Sequence, residues 1–207
     1  GQKGDYYTKK DCGYGWKVTT ECGRGKAEYV SGSPVSRVNP HYLRFTAFAA
    51  GQGFSNQAYR GLYLEKEKSY RVSFYARMAD YEGVSVQKDG SCLTAQNVAC
   101  IHEGKDCLHK WNRYEAMLSP DADVEGGLFV IALDRPGTVE FDLVSMMPAD
   151  AVAGVFRRDL FTLLKDLHPG FLRFPGGCII EGNTLENRYR WKESVGRIED
   201  RKVNFNR

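Results

Sequence analysis

Apolar and polar residues alternate along much of the middle of the chain. Val139, Phe141 and Leu143 are separated by Glu140 and Asp142, which places the three apolar side chains on one face of a strand. This period of two is typical of a β-strand with one face on a core and the other in water. The same alternation recurs at residues 43–47 and 70–77.

Two further segments and a set of turns extend this β pattern. The continuous apolar run at 128–133 predicts a more buried strand, and a short β-like pattern lies at 15–20. Turn signals separate the strands at Gly51-Gln52-Gly53, Asp89-Gly90 and Arg135-Pro136-Gly137. Several short strands joined by turns predict a mainly β chain, folded as a sandwich of two antiparallel sheets.

The pattern changes after Met147-Pro148. Helical spacing of apolar residues predicts a helix over 155–167, and His168-Pro169-Gly170 ends it. The segment 171–174 is then expected to be a short buried strand, followed by a glycine turn. Helix, sharp stop, strand and turn are typical of a parallel α/β fold. We therefore predict two domains, residues 1–150 and 151–207.

Composition and charge exclude several classes of function. A net charge of +3 and a pI near 8.5 are too mild for a nucleic-acid-binding protein, in which a concentrated basic patch is expected. The chain has no apolar run of about 18 residues, so no membrane span is expected. Neither terminus resembles a natural one, and we expect an excised piece of a longer protein.

The cysteines and histidines predict neither a metal site nor a cofactor. The six cysteines include no C-x-x-C pair, and the four histidines show no metal-ligand spacing. If the protein is exported, disulfides could join Cys12 to Cys22 and Cys100 to Cys107, which are near neighbours in sequence. Free and partly buried thiols are the equally weighted alternative.

A string of motifs in the last quarter of the chain carries a family resemblance. Residues 156–160, 172–182, 185–193 and 195–196 closely resemble family 51 of the glycoside hydrolases, the α-L-arabinofuranosidases, in the variant shared by plants and gut bacteria. Residues 39–44 and 61–64 resemble the β-sandwich inserted in that variant, which is similar to a carbohydrate-binding module of jelly-roll type.

This resemblance implies a (β/α)8 barrel that removes terminal arabinofuranosyl groups from arabinan or arabinoxylan with retention of configuration. The sandwich would interrupt the barrel after its first strand, and 171–174 would be the second barrel strand. The expected partners are an arabinofuranosyl-containing polysaccharide or oligosaccharide and the remainder of the catalytic barrel, with no nucleic acid and no membrane. The full-length protein is expected to be exported, to the periplasm or outside the cell.

The same resemblance implies that this chain alone is inactive. A retaining glycosidase needs two carboxyl groups about 5–5.5 Å apart, and the family takes both glutamates from strands beyond Arg207. We assign no catalytic residue within the chain. Its late carboxylates are expected to be loop residues or ion-pair partners: Glu181, Glu186, Glu193, Glu199 and Asp200.

Four residues are predicted to support the sugar pocket of the completed barrel. Arg173 interrupts an apolar segment, where a guanidinium is costly unless paired, and it would hold the nucleophilic glutamate ionised. A structural ion pair is the alternative. Gly176 and Gly177 would let the backbone turn tightly at the sugar site, and Cys178 would line the pocket. Many relatives have Asn at the position of Cys178, which weakens a hydrogen-bonding role.

The sandwich offers aromatic residues for stacking on sugar rings, although most aromatics in a sandwich belong to its core. Our candidates are Trp16, Tyr59 and Trp111, with Tyr63 and Tyr81 also available. Three hypotheses stay open: an architectural part of an arabinofuranosidase, a carbohydrate-binding module, and an interaction module unrelated to sugar. Residues 150–207 are expected to be partly disordered or to pair with a partner by swapping.

Overall fold

The computed structural model describes residues 16–18, 24–56, 58, 61–78, 84–88, 99–100, 110–173 and 177–202. The strands are β1 Trp16–Val18, β2 Lys26–Ser36, β3 Asn39–Ala47, β4 Gly53–Asn56, β5 Leu62–Leu64, β6 Tyr70–Met78, β7 Val84–Lys88, β8 Ala99–Cys100, β9 Asn112–Leu118, β10 Val124–Gly127, β11 Phe129–Leu133 and β12 Gly137–Pro148. The helices are α1 Arg158–Asp166 and α2 Cys178–Glu181, with short 3-10 helices at Trp191–Ser194 and Ile198–Asp200.

The strands form two large antiparallel sheets and a small one. The six-stranded sheet has the order β2-β3-β12-β6-β9-β8, the four-stranded sheet β1-β4-β11-β7, and β10 pairs with β5. The chain crosses repeatedly between the large sheets, since β3, β6, β9 and β12 lie in one while β4, β7 and β11 lie in the other. This winding is that of a jelly-roll sandwich, and it confirms the predicted fold of this part of the chain.

The core lies between the two sheets and is built largely from phenylalanine. The ring centroid of Phe54 on β4 lies 5.4 Å from that of Phe45 on β3 and 5.0 Å from that of Phe141 on β12. Val72 and Phe74 on β6 are fully buried. The alternation on β3 and β6 therefore directs its apolar residues into the core, as predicted.

The prediction for the inward face of β12 is wrong beyond Phe141. The register between β12 and β6 shifts between Asp142 and Ser145, and Leu143 has a φ of 49°. An extra residue at a bulge reverses which side chains face the core. Val144 and Met146, rather than Leu143, accordingly pack against the core cluster.

Helix α1 is shorter than the predicted 155–167. Phe156 exchanges backbone hydrogen bonds with Val152, with its carbonyl accepting at 2.8 Å and its N–H donating at 3.0 Å, so it cannot begin the helix. The apolar residues that gave the helical pattern are exposed, with Leu163 at 64% and Leu164 at 65% of their full accessibility. The helix forms, but its apolar face is not covered by the described residues.

The buried strand predicted at 171–174 is not formed over 171–173, the part of it that the structure describes. Phe171 and Leu172 are each 85% exposed. A strand needs a neighbour to accept and donate its backbone hydrogen bonds, and the described residues supply none here. The expectation that 150–207 is partly disordered or swapped stays a prediction. No described helix is long and apolar enough to cross a membrane.

Candidate functional site

Trp16 lies on the edge strand β1 and is half-buried. Its ring packs against Phe54, with centroids 5.3 Å apart, and against Phe129 at 6.2 Å. The remaining ring surface lines a cavity of about 230 Å³ at the edge of the sandwich, with Tyr29 and His41 among the other lining residues. Trp16 is thus partly a core residue and partly accessible from this cavity.

The Trp16 cavity contains a buried carboxylate beside a strained backbone. Asp142 is 6% exposed, and burial raises the pKa of its carboxyl group although the N–H groups of Leu143 and Val35 donate to it at 2.8 and 3.4 Å. Leu143 has the positive φ of the β12 bulge. The cavity is smaller than the ~300–1,000 Å³ of most ligand pockets, so it could hold at most one small sugar ring.

Trp111 lies at the start of β9 and is held from several sides. Its indole Nε1 donates to the carbonyl of Ser33 at 2.7 Å. The guanidinium carbon of Arg77 lies 4.8 Å from the ring centroid, and Tyr42 contacts the ring edge-on at 5.3 Å. Part of the surface that a sugar would stack on is therefore covered by protein, and a role for Trp111 in sugar binding stays a prediction.

Beside Trp111, a buried glutamate joins three strands of the six-stranded sheet. Glu140 on β12 accepts from Arg44 on β3 at 2.9 and 2.6 Å, and from Nε of Arg77 on β6 at 2.7 Å. Its bond to Arg44 raises the pKa of that arginine. Two arginines compensate the charge that burial would otherwise penalise. This cluster was not predicted, although all three residues occupy polar positions on strands whose apolar and polar residues alternate.

The residues predicted to support a sugar pocket lie in or beside an exposed stretch. Arg173 is exposed, and Gly177 precedes α2 with a φ of 79°. A Cβ on Gly177 would meet no atom within 4 Å, so only backbone conformation requires glycine there. Gly176 and the side chain of Cys178 lie outside the described residues. The roles of these residues stay predictions.

The loop after α2 is organised by an amide that sequence analysis overlooked. The Oδ1 atom of Asn187 accepts hydrogen bonds from the N–H groups of Asn183 and Thr184, both at 2.8 Å. Gly182, with a φ of 64°, packs closely against it, and an added Cβ would lie 2.4 Å from Oδ1. A Gly-Asn-Thr sequence with a nearby Asn is a turn signal that could have indicated this loop.

The segment 197–199 contacts the sandwich through a carboxylate. The Tyr75 hydroxyl donates to Oε1 of Glu199 at 2.5 Å and accepts from Arg197 at 3.0 Å, while Arg197 also pairs with Glu199. Burial acts to raise the pKa of Glu199, but hydrogen bonds from Tyr75, its own backbone and Arg197 outweigh this and lower it. Glu199 is therefore an ion-pair partner, as expected of the late carboxylates.

The other predicted residues add little to a site. Tyr59 and Tyr81 lie outside the described residues, whereas Tyr63 on β5 is 59% exposed. Within the part of the chain that the structure describes, no three side chains of histidine, cysteine, aspartate or glutamate come together as a metal site.

Comparison with known proteins relates the chain to arabinofuranosidases. Residues 163–207 match the family model described as the alpha-L-arabinofuranosidase 1 domain. The chain is 36% identical over 160 residues to alpha-L-arabinofuranosidase 1 of Arabidopsis thaliana, covering 76% of this chain and 24% of that protein. It is 30% identical over 190 residues to an extracellular exo-alpha-L-arabinofuranosidase of Streptomyces chartreusis, covering 83% of this chain and 22% of that protein.

The chain thus spans about a quarter of the length of the curated relatives it matches. Among solved structures, it is similar to the CBM22-1 xylan-binding domain from Paenibacillus barcinonensis Xyn10C, with a TM-score of 0.44 and 16% identity over 67% of this chain and 88% of that one. The sequence matches confirm the resemblance to α-L-arabinofuranosidases. They name no family number, so family 51 stays a prediction.

Proposed function

We propose that this chain is a part of an α-L-arabinofuranosidase, a retaining glycoside hydrolase that releases terminal arabinofuranose from arabinan or arabinoxylan. The observation that supports it best is the match of 163–207 to the alpha-L-arabinofuranosidase 1 domain. The relatives reach 36–38% identity over about three quarters of the chain, so the similarity also includes the sandwich.

In this proposal the two regions belong to different domains: residues 1–150 form the sandwich domain, and residues 151–207 form a segment of the catalytic barrel. The exposed apolar face of α1, with Leu163 and Leu164, would pack on the remainder of the barrel. An uncovered apolar patch of this kind is typical of a surface that another part of the protein covers.

Arg173, Gly176, Gly177 and Cys178 would lie at the sugar pocket of the completed barrel. The exposure of Arg173 fits this arrangement, since its charge would be paired only when the nucleophilic glutamate is in place. The chain by itself lacks the catalytic glutamates and is inactive. The full-length protein is exported, in line with the extracellular relative of Streptomyces chartreusis.

Hydrolysis of 4-nitrophenyl α-L-arabinofuranoside tests the proposal in two preparations. The purified 207-residue chain is expected to release no nitrophenol, and release that survives repurification would overturn the claim of inactivity. In the second, this chain replaces the matching region of the Streptomyces chartreusis enzyme. A folded chimera is expected to hydrolyse the substrate and to lose most activity on Arg173→Ala, whereas a folded but inactive chimera would contradict membership in this enzyme class.

A second candidate function is that of a carbohydrate-binding module for plant cell-wall polysaccharide. Its support is the partly accessible ring of Trp16 at the edge of the sandwich and the exposed ring of Tyr63. Calorimetric titration of the chain with arabino-oligosaccharides separates the two functions. Binding without hydrolysis favours a module that adds affinity, and no binding favours an architectural role.

A further inference from the structure

A groove lies where the sandwich meets the segment after β12. It has a volume of about 600 Å³, which is within the ~300–1,000 Å³ range of ligand pockets and well above that of the Trp16 cavity. Its apolar lining consists of Tyr63, Tyr70 and Pro148, and charged residues surround these. Apolar contact surface with a few polar groups around it is the usual composition of a small-molecule site.

Tyr63 is the exposed ring of this groove. It lies on β5 and is 59% exposed, whereas Tyr70 is 7% exposed and forms part of the wall. The Tyr70 hydroxyl is already engaged, because it accepts a hydrogen bond from the N–H of Glu65 at 2.9 Å. The exposed ring of Tyr63 therefore offers an apolar face beside polar groups, an arrangement suited to stacking on a sugar ring.

The charges around the groove cancel. Lys68 pairs with Glu65 at 2.7 Å, and Arg158 lies 3.3 Å from Asp150. Arg157 donates from Nε to Asp159 at 3.1 Å. Three cations and three carboxylates give no net charge, so the groove does not select an anion such as a phosphate or a uronate.

The ion pairs keep hydrogen-bonding capacity for a ligand. A guanidinium carries five N–H donors, a lysine ammonium three, and a carboxylate about four acceptor sites, so each pair can still contact a hydroxyl without breaking. A sugar hydroxyl can donate to a carboxylate while accepting from an arginine. An apolar ring face beside such mixed donors and acceptors favours a neutral, hydroxyl-rich ligand.

We infer that this groove binds a neutral oligosaccharide of arabinose or xylose, with one sugar ring stacked on Tyr63. The class of sugar rests on the proposed function, and the location rests on the groove itself. Tyr63 belongs to the sandwich, whereas Arg157 lies just before α1 and Arg158 and Asp159 begin it, so a bound chain would bridge both regions. Ligand binding therefore stabilises the position of α1 against β5.

Calorimetric titration of the 207-residue chain with neutral arabino- and xylo-oligosaccharides tests the inference. Tyr63→Ala is expected to weaken binding about tenfold or more. The matched control is Phe48→Ala, which removes another exposed aromatic of the sandwich, 64% accessible and outside the groove, and is expected to leave affinity unchanged. Asp159→Asn, which keeps the shape but breaks the charge balance, is expected to weaken binding to a smaller extent.

Three outcomes would overturn the proposal that this groove binds a neutral oligosaccharide. Affinity lost on Tyr29→Ala but retained on Tyr63→Ala would place the sugar in the Trp16 cavity. Tighter binding of oligogalacturonate than of the neutral sugars would contradict the proposed ligand class. Absence of binding of both neutral sugars would show that the groove is not a sugar-binding site. None of these results affects the hydrolysis test of the chimera, so the failure of this inference can be told apart from the failure of the proposed function.

Hydrogen exchange supplies a readout that a merely structural role of Tyr63 would not give. Adding the oligosaccharide is expected to slow amide exchange in α1 of the unsubstituted chain. In the Tyr63→Ala variant, it is expected to leave exchange in α1 unchanged. Protection confined to the strands around Trp16 would contradict the bridging arrangement.

Discussion

The sandwich and the segment after Pro148 both have periodic hydrophobic patterns, yet among the described residues only the sandwich covers its apolar face. Phe74 on β6 is fully buried, whereas Leu163 on α1 is 64% exposed. Both residues belong to clear periodic patterns, with a period of two in one case and helical spacing in the other. A periodic pattern therefore predicts the element and its apolar face, but burial depends on a partner surface that the pattern does not contain.

The largest expected effect comes from the sandwich core. Phe74 packs against Tyr114 at 5.4 Å and Phe141 at 5.8 Å between ring centroids. Phe74→Ala is expected to reduce the free energy of unfolding by about 3–5 kcal/mol, because it removes buried surface and leaves a cavity. Urea denaturation followed by tryptophan fluorescence measures this loss. A change below about 1 kcal/mol would mean that the core does not hold the sandwich together.

The second effect concerns the buried charge of the sandwich. Glu140→Gln leaves Arg44 and Arg77 without their carboxylate and is expected to cost about 2 kcal/mol. The matched control is Glu28→Gln, since Glu28 lies opposite Arg44 in the β2–β3 register and pairs with Lys26 at an exposed position. Exposed pairs contribute about 0–1 kcal/mol. Equal losses in the two variants, measured by denaturation, would contradict a special role for the buried cluster.

The third effect tests the contact between the two regions. Tyr75→Phe removes the hydroxyl that joins β6 to Glu199 and is expected to weaken the docking of 197–200 by on the order of 1 kcal/mol. Faster amide exchange at 198–201, with unchanged exchange in β3 and β12, is the expected signature. Slower or unchanged exchange there would show that the contact does not hold this segment.

The same contact has a predictable pH dependence. The pKa of Glu199 is lowered in the folded chain, so its contribution to docking is fully present above the ordinary glutamate pKa of about 4.3. The contribution is lost as the pH falls through the lowered, folded value. Amide exchange at 198–201, corrected for its intrinsic pH dependence, is therefore expected to accelerate below about pH 4.3 in the unsubstituted chain. Glu199→Gln is expected to abolish that pH-dependent change.

The smallest expected effect is that of truncating an exposed apolar residue of α1, which is compared with the Phe74→Ala variant of the sandwich core. Leu163→Ala on α1 is expected to change the free energy of unfolding by no more than about 0.5 kcal/mol, since an exposed side chain loses little on truncation. In the chimera that supplies the rest of a barrel, the same substitution is expected to cost about 2–5 kcal/mol. A large loss of unfolding free energy in the 207-residue chain alone would mean that another surface already covers α1. The contrast between the buried sandwich core and the exposed α1 would then be wrong.

Much of the sandwich could be predicted from the sequence because its strands alternate regularly. The inward residues of β3 and β6 and the buried run of β11 follow the pattern directly. Leu143 does not, because a β-bulge depends on how β12 meets β6 and not on local composition. The Glu140 cluster was missed for a similar reason, since cross-strand register is needed to bring Arg44, Glu140 and Arg77 together.

The candidate site could be predicted only in part. The motifs around Arg173 indicated the relationship to arabinofuranosidases, but the strand predicted at 171–174 is not formed where the structure describes it. Backbone hydrogen bonds of a barrel strand come from neighbouring strands, and local sequence cannot supply them. The groove at Tyr63 was not foreseen, because residues of β5 and α1 that are almost one hundred positions apart form it.

The sequence by itself determined the two kinds of patterning, the family resemblance, the balance of charge and the alternating strands of the sandwich. These features depend on the order of residues and on the fixed periods of strand and helix. Only the tertiary structure decided the sheet order, the bulge at Leu143, the burial of Glu140 between two arginines and the groove between β5 and α1. Each of these depends on which distant segments meet, because hydrogen bonds, ion pairs and burial form between surfaces brought together by folding.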